Sequence, residues 1–186
     1  MQINNEIIIQ QTKNWLEKAV IGLNFCPFAK APYVKKQVRI QVSHAKHLDA
    51  FLQDLDDEIQ LLLHTPAEEV ETTLLIQPTL FNDFLLFNDV LEFADQAIAD
   101  NQAEGIIQIA PFHPHFQFAD TQADDIGNYT NRSPYPTLHL IREDSIEKAS
   151  QAFPDASVIF ERNIALLEEM GHAGWQALFP EQKENS

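Results

Sequence analysis

Residues 105–120, GIIQIAPFHPHFQFAD, contain a strand that ends in an unusual way. Gly105 introduces IIQIA (106–110), a short apolar run with the length and β-branched content of a buried strand. Two prolines, two histidines and three phenylalanines then follow within eight residues (111–118). Between Pro111 and Pro136 no period of 2 or 3.6 is found, which leaves a loop of about 25 residues. Loops of that length inside a compact domain are either functional or disordered. Phe112, Phe116, Phe118, Ile126, Tyr129 and Tyr135 give this one apolar anchors that a disordered segment lacks. It is expected to form one wall of a site, because open α/β sheets place ligands at the carboxyl ends of their strands.

Working outward, VRIQV (38–42), TTLLIQ (72–77) and TLHLIR (137–142) read as three more strands. Helical spacing marks residues 5–23, with Ile8, Thr12, Trp15, Leu16, Ala19, Val20 and Leu23 on one side and Asn4 or Asn5 to cap it. A second helix carries Phe51, Leu55, Ile59 and Leu62 after a Ser43 cap, and a third carries Phe84, Val90, Ala94 and Ile98 after an Asn82 cap. Asp144 and Glu147 have the spacing of a capping box. The helix they open is expected at 145–152 and is interrupted at Pro154; a last helix runs over 157–169 to Gly171. The order α-β-α-β-α-β-(long loop)-β-α-α predicts an α/β sandwich in a single domain over residues 1–186, with about four mostly parallel strands.

Composition narrows the function classes. The chain of 186 residues is 45% apolar and 22% charged, an ordinary balance for a globular protein. No apolar run approaches the ~20 residues of a membrane span, and the start shows no basic n-region or cleavage site, so no signal peptide is expected. A single cysteine, Cys26, excludes an intrachain disulfide and suits a reducing cytoplasm. The net charge of −16 is uneven: residues 1–46 hold seven basic and two acidic residues, the remainder five and 26. Such an acidic body repels nucleic acid and anionic membranes, leaving a small molecule as the expected partner. With five glycines and no glycine-rich phosphate loop or dinucleotide fingerprint, no cofactor is expected.

Three places carry the chemistry. Cys26 lies in NFCPFAK (24–30), where Lys30, Lys35 or Lys36 could lower a thiol pKa, against the plainer reading of a small hydrophobe between Phe25 and Phe28. His113 and His115 stand two apart, so extended backbone would turn both to one side. His113 is the candidate general base, and His113, His115 and His139 form an alternative metal set. The third place is DDIGNYTNRSPYP (124–136), in which Arg132, with Asn131, Tyr129 and Ser133, offers a fork suited to a carboxylate or phosphate. The plainer reading of Arg132 is a tie to loop carboxylates.

Together GLNFCPFA, IAPFHPHFQFAD and NYTNRSPYPTLHLIRE resemble the bacterial domain-of-unknown-function family 1415, over nearly the whole chain. The resemblance brings no reaction, substrate or cofactor. It implies that residues 23–30 and 112–143 belong to one pattern that includes His113 and Pro114, with His115 replaceable by aspartate. That favours Cys26, His113, Asn131, Arg132 and His139 over a strict two-histidine metal site. The expected function is a hydrolase or group transferase acting on a small anionic metabolite. In it Cys26 and His113 are catalytic, and Arg132, Asn131, Lys30, Tyr129, Ser133 and His139 bind substrate. The alternatives are a non-catalytic anion-binding or regulatory module and a metal-dependent enzyme.

Overall fold

The computed structural model describes residues 4–152 and 156–180. Asn4 caps helix α1 (Asn5–Trp15) by accepting the Glu6 N–H, and Ile8, Thr12 and Trp15 are its buried stripe. The helix then widens into a π turn (Leu16–Ile21), and a short helix α2 (Lys30–Val34) precedes the sheet. There follow β1 (Val38–Val42), α3 (Leu48–His64), β2 (Thr72–Ile76), α4 (Phe84–Asp100) and β3 (Ile107–Phe112). The long loop contains a 3-10 turn (Ile126–Asn131) and returns to β4 (Thr137–Arg142), α5 (Glu143–Ala152) and α6 (Ala156–Leu178). Among the described residues no helix is long and apolar enough to cross a membrane.

The four strands form one open sheet in the order β1-β2-β4-β3. The mixed α/β class, the strand count, the N-terminal helix and the C-terminal helices are as the sequence predicts. The expectation of a mostly parallel sheet is corrected: β1 and β2 pair in parallel, but β4 pairs antiparallel with both β2 and β3. The cause lies in the loop. Strands β1, β2 and β3 do run in one direction, as helix-linked strands should. No helix follows β3 to carry the chain back along the sheet. The loop therefore returns at the end where it left, with Thr137 opposite Phe112, and β4 inserts between β2 and β3. The result is a split β-α-β unit. Pro111, which has no N–H to donate, is accommodated because β3 is an edge strand.

Three caps differ from expectation. His47, not Ser43, caps α3, its Nδ1 accepting the Ala50 N–H at 3.3 Å, while the Ser43 hydroxyl donates to Asp54. Asp83 rather than Asn82 caps α4, accepting from the N–H groups of Leu85 and Leu86; a carboxylate there also suits the positive end of the helix dipole. Asp144 lies inside α5, which leaves β4 directly, the Glu143 N–H being taken by the Ile106 carbonyl. Pro154 lies outside the described residues. Gly171 breaks α6 as expected, with a φ of 62°.

Strand alternation divides the sheet into two faces. Leu75, Leu138 and Leu140 face α3 and α4, meeting Phe51, Leu55, Ile59, Leu62 and Phe87 in the main core. The β1–α3 contact is completed by Arg39, which reaches Glu58 through two bonds of 2.7 and 2.8 Å. The opposite face carries Leu74, which packs with Trp15, Leu16, Ala19, Phe25 and Leu167 in a second cluster. By register Val38, Thr72, Ala110, Phe112, His139 and Ile141 belong to that second face.

Candidate functional site

The polar residues of the long loop are used mainly to hold the loop. Asn128, fully buried, accepts from the Phe118 N–H and the Thr121 hydroxyl and donates to the Gln122 carbonyl, at 2.8–2.9 Å. Arg132 donates from Nε to the Phe116 carbonyl (3.2 Å) and from Nη2 to the Ala123 carbonyl (2.5 Å). Its guanidinium lies 4.2 Å from the centre of the Tyr129 ring, which in turn meets Trp175 edge-on. The Ser133 hydroxyl donates to the Tyr135 carbonyl at 2.6 Å, and the Asn131 carbonyl takes the His113 N–H. A loop of this length without a regular ladder must satisfy its buried carbonyls with side chains. Loop carbonyls thus engage Arg132 and Ser133 within this polar cluster.

His113 is also occupied. It is completely buried beside Phe84 and Phe87, on the α4 side of the sheet. Its Nε2 donates to the Phe81 carbonyl at 2.8 Å and its Nδ1 accepts the His115 N–H at 2.9 Å. Burial lowers its pKa, so it is a neutral core imidazole that pins the loop to the entry of α4. His115 is exposed, and His139 projects from the opposite face of the sheet. The structure therefore does not bring His113, His115 and His139 together. Nor does it join Cys26 to His113, because the sheet separates them. Lys30 is exposed at the start of α2.

Two of the expected residues, Cys26 and His139, do share one place. On the second face lies a cavity of about 630 Å³ between the π turn and α2 on one side and α5 on the other. Leu16, Val20, Phe28, Leu74, Phe112 and Ile146 are representative of its overwhelmingly apolar wall. The π turn contributes Leu16, Val20 and Ile21 together, and such turns recur where helices line functional sites. Ala110, half-buried on β3 and paired with His139, leaves open the space above the sheet.

Polar groups in this wall are few. His139 is half-buried on the central strand β4, and its Nε2 lies 2.7 Å from the Thr72 hydroxyl. Its apolar surroundings lower its pKa to about 4, which makes it uncharged at neutral pH. Cys26 is exposed, yet neighbouring apolar groups push its thiol above the ordinary value; the N–H groups of Phe28 and Ala29 pull partly the other way. Tyr33 donates to Glu17 at 2.5 Å, and burial together with that carboxylate raises its pKa to about 12. Glu71 accepts the Ser145 hydroxyl, and the solvent-exposed Lys148 supplies one opposite charge. Thr72, Tyr33, Glu71, Ser145 and Lys148 went unnoticed in the sequence, where Thr72, Ser145 and Lys148 sit in ordinary strand or helix patterns and Tyr33 and Glu71 in connections. The period-2 reading of β4 gave only one hint, a histidine within an apolar strand.

The family model described as "Protein of unknown function (DUF1415)" matches residues 7–177. No curated protein and no solved structure matches the chain.

Proposed function

We propose that this chain, which belongs to the DUF1415 family of proteins of unknown function, binds a largely apolar small molecule in the cavity above the second face of its sheet. The observation that carries this reading is the cavity itself, about 630 Å³ with an almost wholly apolar wall. Small-molecule sites typically occupy ~300–1,000 Å³ and combine apolar walls with a few placed polar groups. His139 and Cys26 are those groups here. An anion site at Arg132 has less support, since loop carbonyls already engage its Nε and Nη2. A reducing compartment such as the cytoplasm suits the lone thiol.

The test uses N-phenyl-1-naphthylamine, an uncharged fluorophore that brightens in apolar surroundings. Saturable one-to-one enhancement is expected for the native protein and its loss for Ala110→Trp, which fills the cavity, at an unchanged melting temperature. Equal enhancement in both proteins would remove the cavity as the site.

A catalytic reading, hydrolysis or group transfer through Cys26, rests on one observation: the thiol opens into the same cavity as the uncharged His139. The raised thiol pKa sets a clear expectation for iodoacetamide. Alkylation of Cys26 is slow at pH 7 and climbs only above the ordinary thiol pKa, since the thiolate is the reacting form. Fast alkylation at pH 7 would instead favour covalent catalysis.

A further inference from the structure

The hydrogen-bond chain behind His139 fixes what the imidazole presents to the cavity. The Thr72 hydroxyl lies 2.6 Å from the Leu140 carbonyl. A carbonyl only accepts, so the single hydroxyl proton of Thr72 is committed there. The 2.7 Å contact between Thr72 Oγ1 and His139 Nε2 must then be donated by the imidazole. A neutral imidazole has one N–H, so Nδ1 carries a bare lone pair. Among the described residues Nδ1 has no hydrogen-bond partner, and the ring lines the cavity. Burial keeps the ring uncharged near neutrality.

The remainder of the wall offers little to an ion. Its charged side chains are Glu71, already accepting from Ser145, and Lys148, exposed to solvent. One charge of each sign gives no net field to draw in an anion, and an apolar wall penalises a buried one. An acceptor set in such a wall is best satisfied by a donor. Resting on the cavity reading above, we infer that the ligand is an uncharged apolar molecule carrying a hydroxyl or N–H, which it donates to Nδ1 of His139. Thr72 is the positioning residue, since its hydroxyl, committed to the Leu140 carbonyl, selects the tautomer of His139.

Three probes of one shape separate the possibilities: 2-naphthol, 2-methoxynaphthalene and 2-naphthoate, titrated calorimetrically at pH 7. 2-Naphthol is expected to bind about tenfold more tightly than the methyl ether, the fold-change of one well-made hydrogen bond, with the carboxylate weakest. In His139→Phe the advantage of the naphthol disappears while the ether binds as before. Thr72→Val should shrink that advantage and Thr72→Ser restore it, an outcome that simple loss of packing would not give. Equal affinity for naphthol and ether in the native protein overturns the donor inference and leaves the cavity reading intact. Tightest binding by the carboxylate overturns it as well. If none of the three binds, the cavity reading fails and the inference with it.

Discussion

His113 and His139 show how much a histidine's role depends on its second nitrogen. Both are neutral and both have depressed pKa values through burial. His113 has a partner at each nitrogen, whereas among the described residues His139 has one at Nε2 alone. The linkage to stability is common to both: the unfolded imidazole takes up a proton near pH 6.5 and the folded one resists it. Unfolding is therefore favoured as pH falls from about 6.5 towards the folded value, about 4 for His139. Loss of stability on the order of 3 kcal/mol through that window is expected from His139 alone. Chemical denaturation of the native protein and of His139→Phe at pH 7 and pH 4 measures it. The native protein should lose more than the variant by that amount, and parallel losses would contradict the assignment.

At the scale of elements, the long loop is a wide hairpin whose ends are Phe112 and Thr137. Its integrity rests on Asn128 and Arg132. Asn128→Ala removes the acceptor of the Phe118 N–H and a donor to the Gln122 carbonyl, while the Thr121 hydroxyl keeps the Phe118 carbonyl, and should cost about 1–2 kcal/mol. Arg132→Met should cost about as much in stability and leave 2-naphthol affinity unchanged; an unchanged stability with lost binding would move the site to the loop. Gly171 makes a different kind of contribution. With φ 62° and ψ 178° it occupies backbone space reserved for glycine, yet an added Cβ would meet nothing within 4 Å. Gly171→Ala should therefore destabilise by about 1–3 kcal/mol through backbone strain, read by urea unfolding.

Local elements were legible in the sequence because their signals are local. The alternation of VRIQV and TLHLIR and the helical spacing of Phe51, Leu55, Ile59 and Leu62 depend on residues within one or two turns. The pairing of β4 was not legible, since the position that it takes depends on how a helix-free loop returns and not on its own residues. The same non-local factor governs the site. Cys26 and His139 could be singled out as residues, but which face of the sheet each reaches depends on register, and a one-residue step reverses it. His113 follows Phe112, which faces the cavity; it therefore falls on the other side. Arg132 is ambiguous in the sequence for a physical reason: side chains that satisfy a loop's own carbonyls have the same composition as those that bind an anion.

For the whole molecule, the sheet separates two tasks. One face, under α3 and α4, holds the larger hydrophobic cluster and the Arg39–Glu58 pair. The other, under α1, the π turn and α5, leaves a cavity with an uncharged imidazole in its wall. The central claim is that this second face, and not the loop around Arg132, receives the ligand. Backbone amide spectra recorded during a titration with 2-naphthol test it most directly. Shifts should concentrate at Leu74, Ala110, His139 and Ser145, saturating together, while Asn128 to Ser133 stay still. Shifts confined to residues 113–136, with Ala110 and His139 unmoved, would contradict it.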